Sequence, residues 1–426
     1  MTDTIFALAS GSTRAAIAIM RISGPASGPA VTALCGGMLP TPRHASLCRL
    51  GDPSGATLDH ALVLWFPGPN TYTGEDCAEL HLHGGRAVID GVADALTNAR
   101  LRPAEPGEFT RRAFLNGKMD LVEAEAVHDL IAAETEAQRR QALRQLEGEL
   151  GALYHDWADR LRGILAYQEA LIDFPDEDLP PEVEHQLLTT LGIVRAEIAA
   201  HLNDAGRGEK LRDGLFFAII GPPNVGKSTL INALAQRDVA IVSATPGTTR
   251  DALETRVILG DVPVTLVDTA GLRETNDSIE AEGVRRALAR ASDADLVLAV
   301  VEAGFPAPDV AGLLIANKAD LDRPGPDGAM RISARTGLGM DELRARLAAI
   351  AREMTQTSGP PPLTRARHRA ALRAAANHLA AAETADLPEL RGEDLRLAMR
   401  ALGRITGHVG VEDILDTVFS RFCIGK

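Results

Sequence analysis

One short segment of the chain has the residues needed to hold phosphate groups. Residues 221–228 read Gly-x-x-x-x-Gly-Lys-Ser and lie between an apolar run, LFFAII, and a helix-forming run, TLINAL. Glycines let main-chain amides turn towards phosphate oxygens, the lysine reaches the β and γ phosphates, and the serine hydroxyl can ligate Mg²⁺. The pattern therefore predicts a phosphate-binding loop in which Lys227 and Ser228 contact a nucleoside triphosphate and its metal ion.

A second motif, further along the chain, predicts which base is bound. Asn317, Lys318 and Asp320 form N-K-x-D directly after the apolar run LLIA. A carboxylate can accept hydrogen bonds from N1–H and the exocyclic amine of guanine, whereas adenine lacks this pair of donors and would leave Asp320 unpaired. We therefore predict a site for GTP rather than ATP. The last guanine-contacting loop is predicted at Ser333, Ala334 and Arg335.

Two segments between these motifs have the features of nucleotide-sensing switches. The run VTLVDTAG ends a strand at Asp268, which can hold Mg²⁺ through water, and the amide of Gly271 can contact the γ-phosphate. Upstream, TPGTTRD offers Thr249 as a second protein oxygen for Mg²⁺. All these parts occur in the order of a Ras-like G domain. The predicted GTP contacts also include Asn224, Val225, Gly226, Thr229, Ser243, Thr248, Thr269 and Ala270.

The residue that activates water must differ from that of Ras-like proteins. Those proteins carry a glutamine after D-x-x-G, whereas this chain has Leu272, which can neither orient nor activate water. Glu280, in the acidic run ETNDSIEAEG, is the candidate catalytic carboxylate. On spacing alone, a solvated helix residue is an equally good interpretation of Glu280.

The chain around these motifs divides into segments with different patterns of apolar and polar residues. Strand-like runs and Gly/Pro turns alternate in residues 1–118, and helical periodicity follows in residues 119–213. Residues 214–350 alternate strands and helices, which is typical of a parallel α/β sheet, and residues 351–426 are helical again. We therefore predict a multidomain α+β and α/β protein, in which a P-loop G domain is inserted into a discontinuous helical domain. Two separate helical domains are the alternative.

Size, charge and cysteine content limit the class of protein. With 426 residues the chain is too long for one hydrophobic core, and a net charge of −14 argues against a surface that is basic everywhere. The four cysteines have no metal-binding spacing, and the first residues lack the pattern of a signal peptide, so we expect a cytoplasmic protein. No apolar run is long enough to cross a bilayer, so we expect no membrane association.

Several segments resemble those of the bacterial MnmE (TrmE) family of tRNA modification GTPases, nearly from end to end. They are IMRISG, LWFPGPNTYTGED, RPAEPGEFTRRAFLNGKMDLVEAEA, IDFPDED and the terminal CIGK. The resemblance implies an enzyme that works with the FAD-dependent flavoprotein MnmG in a heterotetramer. Together they would add an aminomethyl or carboxymethylaminomethyl group to C5 of the wobble uridine of tRNA. The alternative is a ribosome-assembly or signalling G protein without folate chemistry.

The same resemblance implies a second ligand and a homodimer. The one-carbon unit would come from a tetrahydrofolate derivative (5-formyl or 5,10-methylene) bound by residues 1–118, through which the chain would also dimerise. The residues that match the folate contacts of the family are Arg21, Glu79, Lys118 and Lys426.

Catalytic and metal-binding roles are implied by the resemblance as well. Glu280 matches the catalytic glutamate of the family, and Cys423 matches a C-terminal cysteine considered for catalysis, although it could instead be a small buried hydrophobe. The matching potassium ligands are Asn224, Ser243, Thr245 and Thr248, beside Ser228 and Thr249 for magnesium.

Two features depart from the family pattern. Pro246 stands where the family usually has a small flexible residue, which implies a stiffer potassium-binding loop. Only residues 303–312 separate the strands LVLAVV and LLIANK. Because a crossover between parallel strands usually contains a helix, we expect that helix to be missing or reduced to one turn.

Two other patterns allow more than one interpretation. Glu79, His81 and His83 share one face of a strand, which fits a sheet-face or folate-pocket role better than a metal site without a third ligand. A helical run of arginines could meet tRNA phosphates, or it could be a solvated surface. These arginines are Arg365, Arg367, Arg369 and Arg373.

Overall fold

The computed structural model describes residues 3–11, 15–173, 181–236, 254–268, 294–306, 311–356, 359–410 and 412–425. The chain forms two compact units, each of which combines separated stretches of sequence. Unit 1 consists of residues 1–128, 146–162 and 396–426, and unit 2 consists of residues 129–145 and 163–395. No helix in the described part of the chain has both the length and the apolar character that a membrane crossing requires.

Unit 1 contains a six-stranded sheet. Its strands run in the order β3-β4-β5-β2-β1-β6, and all pairs are antiparallel except β1 with β6. Alternate residues of a strand point to opposite faces, so Leu80 and Leu82 are buried in the core while Glu79 and His81 lie on the other face. The strands are β1 (Ile5–Leu8), β2 (Ile17–Ser23), β3 (Ser46–Gly51), β4 (Thr57–Phe66), β5 (Cys77–His83) and β6 (Arg102–Pro103).

Helices cover the apolar face of this sheet. Val31 of α1 (Ser27–Leu34) and Leu96 of α2 (Arg86–Asn98) are buried in one core with Trp65 of β4. A separate apolar cluster joins Leu121 to Phe419 and Phe422 near the C-terminus. The helices that carry this cluster are α3 (Glu108–Leu115), α4 (Leu121–Ala132) and α13 (Glu412–Phe419).

Unit 2 contains a second six-stranded sheet, and this one is mostly parallel. The order is β12-β11-β10-β7-β9-β8, and only β8 is antiparallel to its neighbour. Leu230 of α9 (Lys227–Ala235) and Leu343 of α10 (Met340–Thr355) pack into its core. The strands are β7 (Leu215–Ile220), β8 (Glu254–Leu259), β9 (Val262–Asp268), β10 (Leu296–Glu302), β11 (Leu313–Asn317) and β12 (Met330–Arg331). The predicted α/β architecture is confirmed.

Long helices flank the α/β region in sequence, as the periodicity predicts. Leu150, Trp157 and Leu161 of α6 (Glu149–Asp173) are buried at the expected spacing, and α7 (Pro181–Leu202) packs against α11 (Ala366–Thr384). The predicted multidomain α+β and α/β fold class is therefore confirmed, while the domain boundaries stay a prediction. These helices are α5 (Glu136–Leu146), α6 (Glu149–Asp173), α7 (Pro181–Leu202), α8 (Arg207–Asp213), α11 (Ala366–Thr384) and α12 (Pro388–Thr406).

The short connection between β10 and β11 joins two direct neighbours. The strands pair in parallel, from Leu298 with Leu313 to Glu302 with Asn317. Residues 303–306 and 311–312 of the connection are turn, bend or irregular chain rather than helix, and residues 307–310 lie outside the described residues. A side chain at Gly312 would place its Cβ 2.4 Å from the carbonyl oxygen of Val297. The chain therefore enters β11 by passing very close to the β10 backbone.

Candidate functional site

The phosphate-binding loop connects β7 to α9, as the sequence predicts. A Cβ at Gly221 would lie 2.1 Å from the carbonyl oxygen of Val300, and one at Gly226 would lie 2.4 Å from Nδ2 of Asn317. Both glycines have positive φ, and Asn224 between them has φ +61°, which is uncommon for a residue with a side chain. The loop is therefore packed tightly against β10 and against the guanine motif.

Lys227 lies inside this loop. Lys227 is 5% exposed, and its Nζ donates hydrogen bonds to the carbonyl oxygens of Gly221 and Pro222, each at 2.8 Å. Burial lowers the pKa of this ammonium group, while the nearby carboxylate of Asp268 acts in the opposite direction. The cation is thus fixed at the centre of the loop, where phosphate oxygens can serve as its acceptors.

The two predicted magnesium-binding side chains of the described region meet beside the loop. Oγ of Ser228 donates a hydrogen bond to Oδ2 of Asp268 at 2.9 Å. The two residues come from the start of α9 and the end of β9, which are brought together because β7 and β9 are parallel neighbours. A hydroxyl and a carboxylate are the hard oxygen donors that Mg²⁺ prefers, so the residues present fit this ion.

Asn317 joins three of the predicted GTP-binding segments. Its Nδ2 donates to the carbonyl oxygen of Val225 at 2.8 Å, and its Oδ1 accepts from the amide of Ala334 at 3.0 Å. The residue is 3% exposed, so both hydrogen bonds are shielded from water. The phosphate loop, the N-K-x-D motif and the loop from Ser333 to Arg335 therefore form one continuous surface.

Asp320 is held as a carboxylate at the edge of that surface. A hydrogen bond from Ser333 is the main cause that lowers its pKa below the ordinary value, and Arg335 adds to it. Nη2 of Arg335 lies 2.8 Å from Oδ2 of Asp320. The carboxylate is therefore charged at neutral pH and oriented by the two residues that the sequence assigns to the last guanine-contacting loop.

Glu302, which belongs to none of the sequence motifs, holds the lysine of the guanine motif. Lys318 has φ +64°, an unfavourable conformation for a residue with a side chain, and its Nζ lies 2.7 Å from Oε2 of Glu302. Arg323 binds the other oxygen of Glu302 at 3.1 Å. A signal was present, because Glu302 is the last residue of a strand whose parallel neighbour ends at Asn317.

Several predicted site residues lie outside the described residues, and their roles stay predictions. They include the catalytic candidate, the switch residues, most of the potassium ligands and the terminal lysine. These residues are Ser243, Thr245, Pro246, Thr248, Thr249, Thr269, Ala270, Gly271, Leu272, Glu280 and Lys426.

Unit 1 contains a cavity of about 260 Å³ next to its sheet. Arg21 and Glu79, which the resemblance assigned to folate, both line it. They are direct partners on β2 and β5, and Nε and Nη2 of Arg21 donate to Oε1 of Glu79 at 3.1 and 2.9 Å. The other lining residues are Arg43, Phe66, Asn70, Thr71, Tyr72, Thr73 and Cys77.

The guanidinium of Arg21 is also held between aromatic rings. Its Cζ lies 5.5 Å from the ring centroid of Tyr72 and 5.9 Å from that of Phe109. Such contacts attract a cation to the ring face. Arg21 is therefore oriented by one carboxylate and two rings, and its charge is balanced by Glu79.

Lys118 lies beside the loop that forms one wall of the cavity. A Cβ at Gly74 would be 3.0 Å from Cε of Lys118, and Nδ2 of the nearby Asn116 donates to the carbonyl oxygen of Thr73 at 2.6 Å. Lys118 is not itself a lining residue. The structure thus brings it close to the wall that contains Thr73 without placing it in the cavity.

A buried ionic network lies beneath the same wall, and sequence analysis did not detect it. Arg112 has a side chain that is 0% exposed and binds Asp3, Glu75 and Glu108 at 3.0, 3.0 and 3.1 Å. Glu75 also accepts a hydrogen bond from Oγ of Ser23 at 2.7 Å. A buried charge needs such partners, so the network holds the loop before β5 in one conformation.

The C-terminal segment packs against the beginning of the chain within unit 1. The carbonyl oxygen of Cys423 accepts a hydrogen bond from the amide of Gly107 at 3.4 Å. Gly425 has φ +96°, and a Cβ there would lie 2.3 Å from the carbonyl oxygen of Leu8. Cys423 is exposed, so its interpretation as a buried hydrophobe is wrong. Its catalytic role stays a prediction.

The two histidines near Glu79 are not arranged around a metal. Nδ1 of His83 lies 2.7 Å from Oδ1 of Asp59, while Nε2 of His81 lies 3.6 Å from Oε2 of Glu79. Within the described ranges no group of three His, Cys, Asp or Glu side chains could hold a metal ion. The sheet-face interpretation is therefore favoured.

Two arginines of the predicted basic helix are engaged inside unit 2. Nη2 of Arg369 lies 2.6 Å from Asp204 and 2.9 Å from Glu209, and Nη2 of Arg365 lies 2.6 Å from Asp129. The side chains of both arginines are less than 15% exposed, at 14% and 11%. These two residues therefore stabilise helix packing rather than a phosphate-binding surface.

Family models and named relatives match nearly the whole length of the chain. The family models "MnmE helical domain" and "GTP-binding protein TrmE N-terminus" match residues 121–423 and 4–118. A relative from Gluconacetobacter diazotrophicus, named tRNA modification GTPase MnmE, is 63% identical over 99% of this chain and 98% of its own length. A relative of the same name from Granulibacter bethesdensis is 59% identical over 100% of this chain and 99% of its own length.

One similar solved structure covers about a third of the chain. The FeoB G-domain from Methanococcus jannaschii is 23% identical and covers 32% of this chain and 97% of that chain, with a TM-score of 0.22. That score is too low for the likeness to support a conclusion.

Proposed function

The chain belongs to the MnmE family, and from this premise we propose that it is a GTP-hydrolysing enzyme of tRNA modification. With an FAD-dependent flavoprotein partner (MnmG) in a heterotetramer, it adds an aminomethyl or carboxymethylaminomethyl group to C5 of the wobble uridine. The one-carbon unit comes from a tetrahydrofolate derivative, 5-formyl or 5,10-methylene. The observation that carries this proposal is the cross-strand pair of Arg21 and Glu79 in the cavity of unit 1, a feature that a simple G protein does not need.

Binding of GTP is assigned to unit 2. Lys227 and the amides of the loop from Gly221 to Ser228 neutralise the phosphates, since the side chain is fixed inside that loop. Asp320 accepts the N1–H and amine hydrogens of guanine, and the double hydrogen bond of Asn317 supports this surface from behind. Ser228, Thr249 and Asp268 are the proposed magnesium-binding side chains.

Hydrolysis of GTP is assigned to Glu280, which orients or deprotonates the attacking water. The support is family membership together with Leu272, which cannot perform this step. A potassium ion bound near Asn224, Ser243, Thr245 and Thr248 would supply positive charge beside the phosphates. Asn224 is exposed in the phosphate loop, so its side-chain oxygen is accessible to a hard cation.

The cavity of unit 1 fits a reduced folate in size and chemistry. A volume of about 260 Å³ suits a bicyclic ring, Tyr72 and Phe66 offer apolar surface, and Glu79 is an acceptor for the donor edge of a pterin. When bound, the folate supplies the one-carbon unit. Arg21 holds Glu79 in position, and Lys118 and Lys426 are proposed to reach the ligand from the rim. Cys423 remains the proposed catalytic thiol.

The assembly and location of the enzyme follow from the same family membership. We assign homodimerisation to residues 1–118, the helical domain to residues 119–213 and 351–426, and the G domain to residues 214–350. Support for the dimer contact comes from the open face of the unit 1 sheet, where Ile17, Leu47 and Leu62 are 59%, 74% and 45% exposed. Four free cysteines suit a cytoplasmic protein.

The proposed function is tested by combining folate binding with analysis of tRNA nucleosides. The full-length chain should bind 5-formyltetrahydrofolate and restore the modified wobble uridine in a strain that lacks its own copy. Glu79→Gln should raise the Kd for the folate by about tenfold or more, because a neutral amide loses the charge-assisted hydrogen bonds to the pterin, and should lower modification in parallel.

The matched control for that experiment is Asp94→Asn, which changes an exposed carboxylate on α2 of the same unit. This variant should bind folate and restore the nucleoside like the parent. If the parent chain binds no reduced folate, or if the strain lacking it keeps a normal wobble uridine, the proposed function is wrong.

A further inference from the structure

A second arginine, Arg43, stands at the rim of the same cavity. Its Cζ lies 5.9 Å from the ring centroid of Phe66, and its Nη2 donates a hydrogen bond to the carbonyl oxygen of Asn70. Both contact residues line the cavity with it. The residue is exposed, so the guanidinium can be reached by a ligand that extends out of the cavity.

The charge of Arg43 is not balanced as that of Arg21 is. Arg21 forms two hydrogen bonds with the carboxylate of Glu79, whereas the polar partner of the Arg43 guanidinium is a neutral carbonyl group. Across the described portion of the chain, no carboxylate forms an ion pair with Arg43. The charged residues lining the cavity are thus two arginines and one glutamate, which leaves an excess positive charge at the rim.

The backbone of Arg43 adopts an unfavourable conformation. Arg43 has φ +61°, a left-handed conformation that glycine adopts easily and that costs a residue with a side chain on the order of 1 kcal/mol. Its amide donates to the carbonyl oxygen of Trp65 at 2.8 Å, which ties the turn to the end of β4 next to Phe66. The turn therefore fixes the backbone of Arg43, and the contacts with Asn70 and Phe66 hold its guanidinium.

We propose that Arg43 determines ligand specificity in this cavity by binding a carboxylate of the glutamate portion of a reduced folate. The inference rests on the proposed folate function and adds a residue to it. The cavity opens to solvent, and Arg43 is an exposed cation among its lining residues, so it is accessible to the anionic tail of a folate whose ring contacts Glu79. A guanidinium binds a carboxylate through two parallel hydrogen bonds, which makes it selective for this group.

The proposal gives Arg21 and Arg43 different roles in ligand binding. Arg21 is committed to Glu79 and so orients the acceptor for the pterin. Arg43, whose guanidinium contacts a neutral carbonyl group, binds a carboxylate of the tail. The cavity is thereby selective for pterins that carry an anionic extension over simple pterins of the same ring structure.

The test compares two ligands that differ in the tail. The affinity of the full-length protein is measured by titration calorimetry for 5-formyltetrahydrofolate and for 6-methyltetrahydropterin, which has the ring but no carboxylate. Arg43→Gln should raise the Kd for the folate by about tenfold and leave the Kd for the pterin unchanged. The folate Kd of Arg43→Lys should lie between that of the parent and that of Arg43→Gln, because lysine keeps the charge and loses the paired hydrogen bonds.

Arg49→Gln is the matched control, since Arg49 is an exposed arginine on β3 that binds Thr57. It should change neither Kd. The folate titration is also repeated at several salt concentrations, and its salt dependence should be weaker for Arg43→Gln than for the parent because one exposed ion pair has been removed.

Three results would overturn the inference. The first is an unchanged folate Kd and salt dependence in Arg43→Gln. The second is an equal loss of affinity for both ligands, which would mean that the pterin pocket itself had been disturbed. The third is a parent chain that binds no reduced folate, and only this result also removes the proposed function.

Discussion

At the scale of single residues, selection of the base is proposed to depend on one carboxylate. Asp320 is kept charged by a hydrogen bond from Ser333, and Arg335 contacts it at 2.8 Å. The N-K-x-D motif in the sequence predicted Asp320 as a guanine-binding residue. It did not predict the ion pair of Asp320 with Arg335. Arg335 must move its hydrogen bond or share the carboxylate when guanine binds, because each carboxylate oxygen accepts a limited number of donors.

Asp320→Asn should exchange guanine for xanthine specificity. The amide of asparagine cannot accept from both N1–H and the amine of guanine, but it can donate to the carbonyl oxygen that xanthine carries at the same position. We expect the Kd for GDP to rise by at least about tenfold and the Kd for XDP to fall. Asp341→Asn, at an exposed position on α10, should leave both unchanged. Unaltered GDP binding in Asp320→Asn would show that the base lies elsewhere.

At the scale of elements, the unusual feature of unit 2 is the short connection between β10 and β11. Parallel neighbours usually need a longer crossover, and here residues 303–312 suffice. Gly312 makes this possible, since a Cβ at this position would lie 2.4 Å from the Val297 carbonyl oxygen. The same neighbouring strands bring Glu302 next to Lys318, so the connection also borders the guanine motif.

Gly312→Ala should destabilise unit 2. The added methyl group cannot fit without moving the backbone of β10 or β11, and overpacking of this kind typically costs about 1–3 kcal/mol. We expect the Tm of unit 2 to fall by several degrees. The transition of this unit can be recognised in the melting curve because GDP binding raises its Tm.

Gly163→Ala is the control for that substitution. Gly163 lies within α6 and has no atom within 4 Å of an added Cβ, so alanine should be neutral or slightly stabilising there. If Gly312→Ala melts like the parent, the close approach of β11 to β10 does not constrain residue 312.

At the scale of the whole molecule, the two candidate sites belong to different compact units. The cavity with Arg21 and Glu79 lies in unit 1, and the phosphate loop with Lys227 lies in unit 2. A protein that only bound GTP would not need the first site. We expect turnover of GTP to be required for tRNA modification even though the proposed folate site lies in another unit.

Glu280→Ala should separate ligand binding from GTP turnover and tRNA modification. We expect GTP affinity and folate binding to stay close to those of the parent, while kcat for GTP falls at least about tenfold and the modified wobble uridine is lost from the complemented strain. The parent should turn over faster in K⁺ than in Na⁺. Glu353→Ala, an exposed change on α10, serves as the control. Equal turnover by Glu280→Ala and the parent would remove this residue from the mechanism.

The sequence by itself determined the parts of the protein that depend on neighbouring residues. The phosphate loop from Gly221 to Ser228, the N-K-x-D motif and the alternation of strands and helices were all evident, because short-range backbone geometry and side-chain spacing define them. The folate-site residues, by contrast, were identified through resemblance to a family. Spacing alone offered no reason to connect Arg21 with Glu79.

Only the tertiary structure decided which charges meet. Arg21 and Glu79 are 58 residues apart in sequence, and Arg112 and Asp3 are 109 apart. Such pairs form where strand register and burial bring distant segments together, and burial makes an unpaired charge costly enough to enforce the pairing. For this reason Arg21 is bound to Glu79, and Arg43 is the lining arginine whose guanidinium contacts a neutral carbonyl group instead of a carboxylate.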